Sequence, residues 1–74
     1  MRGKIIQLKQ LSGGAPEQWE GKLETGQHIY AREKYGEVRV EIDDIVVYET
    51  KSNYVLDVLQ GMFDIDERVL HECF

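Results

Sequence analysis

Between His28 and Ile42, apolar and polar residues alternate on both sides of a Tyr35-Gly36 pair: Ile29 and Ala31 come before it, and Val38, Val40 and Ile42 after it. A period of two marks strands with one buried face, so this stretch predicts a β-hairpin. A two-residue turn at Tyr35-Gly36 sets Glu37 opposite Lys34, Arg39 opposite Arg32, Val40 opposite Ala31 and Ile42 opposite Ile29. The apolar faces then coincide. An odd loop without a compensating bulge would put Arg32 or Tyr30 opposite the valines, so parity selects the even loop. Gly36 supplies the positive φ that such a turn needs, whereas Tyr35 is a poor first residue for it. The expected outcome is burial of Ile29, Ala31, Val38, Val40 and Ile42, with Tyr30, Arg32, Arg39 and Glu41 more exposed.

The same pattern predicts a strand over Lys4 to Leu11, with Ile6 and Leu8 on one face, and a second over Gln18 to Leu23, with Trp19, Gly21 and Leu23 on one side. Ser12-Gly13-Gly14-Ala15-Pro16-Glu17 separates them as a loop. The turn over Glu24 to Gln27 admits two registers. A two-residue Thr25-Gly26 loop sets Gly21 opposite Tyr30 and Trp19 opposite Arg32. A three-residue Thr25-Gly26-Gln27 loop sets Leu23 opposite Ile29 and turns Trp19 inward. The second is expected, because a chain with one Trp forfeits much of its burial if that ring stays outside.

After Asp43-Asp44, Ile45-Val46-Val47-Tyr48-Glu49 reads as a last strand. The spacing then changes. Val55, Val58, Leu59 and Met62 follow a helix face, with Ser52 or Asn53 as N-cap and Gly61 as C-terminal stop; the alternation of Tyr54, Leu56 and Val58 is the competing strand reading. Asp64, with Glu67 three residues on, looks like the start of a second helix leading into Val69, Leu70, Cys73 and Phe74. The predicted architecture is one α+β domain over residues 1–74, a four- to five-stranded antiparallel β-meander with one or two C-terminal helices packed on one face.

At 74 residues the core is thin, so a partner or a second copy could help to cover it, and homo-oligomerisation stays open. With 42% hydrophobic and 31% charged residues the chain should fold. No apolar run is long enough to span a bilayer and the start lacks the apolar segment of a signal peptide, so the expected location is the cytoplasm. The net charge of -5 is unevenly spread. Residues 1–32 carry five basic residues against three acids, and residues 33–74 carry four against eleven. That imbalance speaks against nucleic acid as a partner and favours a protein with a basic surface.

Tyr30, Arg32 and Arg39, with His28 and Lys34 nearby, form an aromatic and basic group on the polar face of the hairpin that could stack and neutralise a nucleotide or single strand. Glu37 and Glu41 lie diagonal to Arg32 and could neutralise it, which makes an ordinary solvated surface the plainer explanation. Asp64, Asp66 and Glu67 are the candidate acidic contact residues. His71 and Cys73 with Glu67 or Glu72 do not complete a metal site, and Asp64 and Asp66 lack the Gly of a calcium loop. Two distant His and no paired base and nucleophile point away from an enzyme, and no cofactor or metal is expected. The functional expectation is a small acidic protein-interaction module: an adaptor, regulator or inhibitor of a larger macromolecule, in its sharpest form a mimic of nucleic acid. The alternatives are a nucleic-acid-binding module using Tyr30, Arg32 and Arg39, and a small enzyme or ligand carrier.

Overall fold

The computed structural model describes residues 3–12 and 16–69. Its element order is β1 (Lys4–Ser12), β2 (Glu17–Leu23), β3 (His28–Lys34), β4 (Glu37–Ile42), β5 (Ile45–Lys51), α1 (Val55–Met62) and β6 (Asp64–Ile65). The first five strands form an antiparallel meander, and β6 returns to pair parallel with β1, giving one six-stranded sheet ordered β5-β4-β3-β2-β1-β6. The fold is therefore mostly β with a short helix, and its sheet has six strands where the pattern predicted four to five.

The central hairpin has the register that parity selects: Lys34 pairs with Glu37, Arg32 with Arg39, Ala31 with Val40 and Ile29 with Ile42. Tyr35 (φ 54°) and Gly36 (φ 75°) are both left-handed, as a two-residue turn matching the strand twist requires. Asp43 (φ 50°) and Asp44 (φ 67°) repeat the device between β4 and β5, where Asp43 Oδ1 accepts a hydrogen bond from the His28 amide at 3.0 Å. Ile29, Ala31, Val38 and Val40 are buried; Ile42, Tyr30, Arg32, Arg39 and Glu41 are partly exposed.

Trp19 is buried, on the core face, with its indole N–H donating to Glu17 Oε1 at 2.8 Å. Its partner differs from expectation. Trp19 pairs with Ala31 and Gly21 with Ile29, because the three-residue loop is Glu24-Thr25-Gly26 and not Thr25-Gly26-Gln27. The Gly26 amide donates to Leu23 O and the Leu23 amide to Gln27 O, both at 2.9 Å, and Gly26 (φ 93°) takes the left-handed position that ends such a loop. Leu23 then lies beyond Ile29 and pairs with Ile5 on β1.

A second difference lies in β1. A register shift between Ile5 and Gln7 leaves Ile6 exposed, so Ile5 and Leu8, not Ile6 and Leu8, face inward. The helix over 55–62 lays Val55 and Leu59 into the core, with Val58 and Met62 partly buried beside them. It starts at Tyr54, whose amide donates to Ser52 Oγ, and it runs through Gly61 to an extended Phe63, so Gly61 does not stop it. Asp64 does not cap a helix either: it lies in β6, its amide donating to Gly3 O at 2.9 Å. Asp66 takes that role, accepting the Arg68 amide on Oδ1 at 2.9 Å as the chain turns helical at 67–69. The rest of the second predicted helix, with Leu70, His71, Cys73 and Phe74, lies outside the described residues, as does most of the loop after Ser12.

Candidate functional site

The sheet has two faces and two ends, and its functional candidates sort accordingly. One face carries the core, with Ile5, Trp19, Leu23, Ile29, Ala31, Val38 and Val40 under α1. The other is solvated. Strand pairing places Lys9, Lys22, Arg32, Lys34, Arg39 and Lys51 on it, six of the nine Lys and Arg of the chain. Glu20, Glu37, Glu41 and Glu49 are interspersed among them. The charge is thus uneven in space as well, but the division is between the faces of the sheet and not between the two chain halves. β4 and β5 bring Arg39 and Lys51 from the acidic half onto a face whose formal balance is +2, and the remaining residues carry -7.

Tyr30, Arg32 and Arg39 are together on this face, as their alternation predicts. The Tyr30 hydroxyl donates to Gln18 Oε1 at 3.3 Å, which ties the ring down beside β2. Arg39 Nε lies 3.6 Å from Glu49 Oε1, and His28 Nε2 lies 3.5 Å from Glu20 Oε2. The predicted neutralisation of Arg32 by Glu37 and Glu41 is not made: no ion pair joins them.

Asp64, Asp66 and Glu67 are also neighbours, beside Lys4 and Arg68 around an open depression of about 550 Å³. They are not equivalent. Asp66 is an ion-pair partner of Arg68 (3.3 Å) and Lys4 (3.9 Å), and besides the backbone amide it accepts hydrogen bonds from the Arg68 guanidinium. The Arg68 side chain and amide hold its carboxyl below the usual carboxylate range. A carboxyl whose folded pKa lies below its unfolded one stabilises the fold above the unfolded pKa, and that contribution fades as pH falls through the folded one. Arg68 is exposed, so the pair is well screened and its contribution small. Asp64 and Glu67 remain exposed acids.

The feature that sequence reading did not single out is the β5 end of the sheet. Among the described residues β5 has β4 on one side and no strand on the other. Its residues Ile45 (67% exposed), Val46 (44%), Val47 (47%) and Tyr48 (43%) form four consecutive apolar side chains open to water. The Ser52 amide donates to Gly36 O at 3.0 Å, so ladder alternation points the main-chain groups of Thr50 and Tyr48 at β4 and those of Glu49 and Lys51 outward. On the core side, Tyr48 and Thr50 of β5 and Asp57, Val58, Gly61 and Met62 of α1 line a groove of about 490 Å³ running beside that free edge. The signal was present in the sequence. Ile45-Val46-Val47 is apolar without alternation, the pattern of a strand covered on both faces, yet all three side chains are exposed.

No helix among the described residues is long and apolar enough to cross a membrane. Compared with protein-family models, with curated proteins and with solved structures, the chain matches none.

Proposed function

We propose that the protein is a small protein-interaction module that docks an extended segment of a partner along β5. The observation that carries this reading is the open edge with four exposed apolar residues in succession. Edges left open in monomeric proteins are usually short, charged, bulged or interrupted by Pro, because unpaired N–H and C=O groups recruit other strands. β5 is seven residues long, contains no Pro, and has a bulge between its pairings with Val40 and Glu41 and charges only at Glu49 and Lys51. The half from Ile45 to Tyr48 carries no charged guard. The opposite end is treated differently: β6 covers the start of β1 at Lys4 and Ile5, and Lys9 stands farther along.

An added strand would take its affinity from the outward main-chain groups of Glu49 and Lys51 and from covering the apolar run. Its specificity would come from every second side chain, which would enter the groove between β5 and α1. In this proposal Asp64 and Glu67 are acids that steer a basic partner on its approach to β5.

Affinity capture from the native host tests it. Val47→Lys should abolish capture of the specific partner by adding a charge to the edge, while charge reversal at Asp64 and Glu67 should slow association and leave the complex intact. Capture that survives Val47→Lys but is lost on charge reversal would move the interface to the acidic cluster.

A further inference from the structure

The turn end of the β3–β4 hairpin has an arrangement that neither the core nor the β5 edge requires. Arg32 and Arg39 stand directly opposite each other on neighbouring strands, where like charges destabilise a sheet. Among the described residues the Arg32 side chain has no ion-pair or hydrogen-bond partner. Arg39 Nε is shut off from water and makes no hydrogen bond, its one acidic neighbour being Glu49, whose Oε1 forms an ion pair with it at 3.6 Å. Lys34 and Tyr35 complete a depression of about 280 Å³ in which Glu37 is the single acid.

Tyr35 is the second unexplained residue. It holds a left-handed φ of 54°, where Asn or Gly would be at ease, and it is 94% exposed, so no packing accounts for its presence. The Lys34 ammonium lies 5.4 Å from its ring centroid, which leaves a flat aromatic surface beside a cation at the rim of the depression.

We propose that this depression binds a mononucleotide, its phosphate held by Arg32, Arg39 and Lys34 and its base lying on Tyr35. Guanidinium forks match phosphate oxygens in pairs, and an anion between the two arginines would turn their repulsion into a shared attraction. The three residue steps from Arg32 to Tyr35 span roughly 10 Å, about the reach from a phosphate across a sugar to a base. A longer nucleic acid fits less well. The neighbouring row of the same face is Glu20, Tyr30 and Glu41, so a phosphodiester chain crossing the sheet would meet two carboxylates, and the net charge of -5 would oppose each further phosphate.

The test is an amide NMR titration of the full chain with adenosine monophosphate, inorganic phosphate, adenosine and a short single-stranded DNA, near physiological salt. The expected result is saturable shifts at Arg32, Lys34, Tyr35 and Arg39 with the monophosphate, and weaker binding of phosphate at the arginines. Arg32→Gln, which removes one of two like charges and should fold, weakens the monophosphate about tenfold. Tyr35→Asn raises the urea midpoint, because Asn accepts the turn geometry, yet it lowers the affinity for the monophosphate to that of phosphate alone. No saturable shift by about 10 mM monophosphate, or binding indifferent to Arg32→Gln, would overturn the site. Equal affinity for phosphate and monophosphate, unmoved by Tyr35→Asn, would overturn the base contact and with it the nucleotide. Tighter binding of the DNA than of the monophosphate at equal nucleotide concentration would give the face to a nucleic-acid strand instead. Val47→Lys should leave the titration unchanged, since the β5 edge takes no part in it.

Discussion

Gly21→Ala is expected to destabilise the domain by about 3 kcal/mol or more, seen as a large fall in the urea midpoint or as loss of the cooperative transition. A Cβ built at Gly21 would stand 2.0 Å from the carbonyl oxygen of Gln7, 3.0 Å from its carbonyl carbon and 3.1 Å from the Cα of Leu8. All three are backbone atoms, so no rotamer change relieves the clash and β1 itself must move away from β2. That movement would break the pairing that also carries β6 and half of the core. In a domain this small the total stability is only on the order of 5 kcal/mol, and the loss consumes most of it. Gly61→Ala is the matched control. Gly61 is helical, and nothing lies within 4 Å of its added Cβ, so Ala there should stabilise by about 1 kcal/mol. Equal effects at the two sites would mean that the close approach of β1 to β2 is wrong.

Trp19→Ala should cost about 3–5 kcal/mol, the range for deleting a large buried ring. The ring is 3% exposed, sits opposite Ala31 and belongs to the same core as Leu23, Ile29 and Leu59. Its truncation leaves a cavity that a two-layer core of this size cannot collapse around. It also strands Glu17, whose Oε1 accepts the indole N–H. In the wild type, tryptophan emission should be blue-shifted and resistant to iodide. Emission at the wavelength of free tryptophan with easy quenching would put the ring outside and reverse the faces of β2.

The success and the failure of sequence reading can be traced to the same geometric rule. Side chains of a strand alternate with period two, so the buried set Ile29, Ala31, Val38 and Val40 and the inward Trp19 are legible from parity alone. What parity cannot report is a slip of one residue on each strand at once. The loops Thr25-Gly26-Gln27 and Glu24-Thr25-Gly26 have equal length and equal parity, and only the need for Gly26 at the left-handed end of the loop separates them. Nor does a single strand announce a bulge. Ile5 rather than Ile6 turns inward because Gly21, on the neighbouring strand, lets the Gln7 carbonyl come close, a fact that no pattern within β1 contains.

The candidate site was legible in its residues and not in its setting. Tyr30, Arg32 and Arg39 share a face as alternation demands, but that Arg39 turns to Glu49 and leaves Arg32 without an acid depends on how β5 pairs. The β-branched run at Ile45 was visible as a strand. Its place at an open edge follows only from β6 pairing at the far side of the sheet, beside β1. The acids at Asp64, Asp66 and Glu67 were read as one cluster, and tertiary structure divides them into a strand residue, a cap and an exposed charge.

The central claim is that a partner adds a strand to β5, and amide hydrogen exchange measured with and without the captured partner tests it most directly. In the free protein the amides of Glu49 and Lys51, which face the open edge, should exchange fast while those of Thr50 and Tyr48 are protected by β4. In the complex Glu49 and Lys51 should become protected, together with side-chain perturbations at Val58 and Met62 in the adjoining groove. Protection confined to Asp64 through Glu67, with Glu49 and Lys51 exchanging as before, would contradict the account and assign the interface to the acidic cluster.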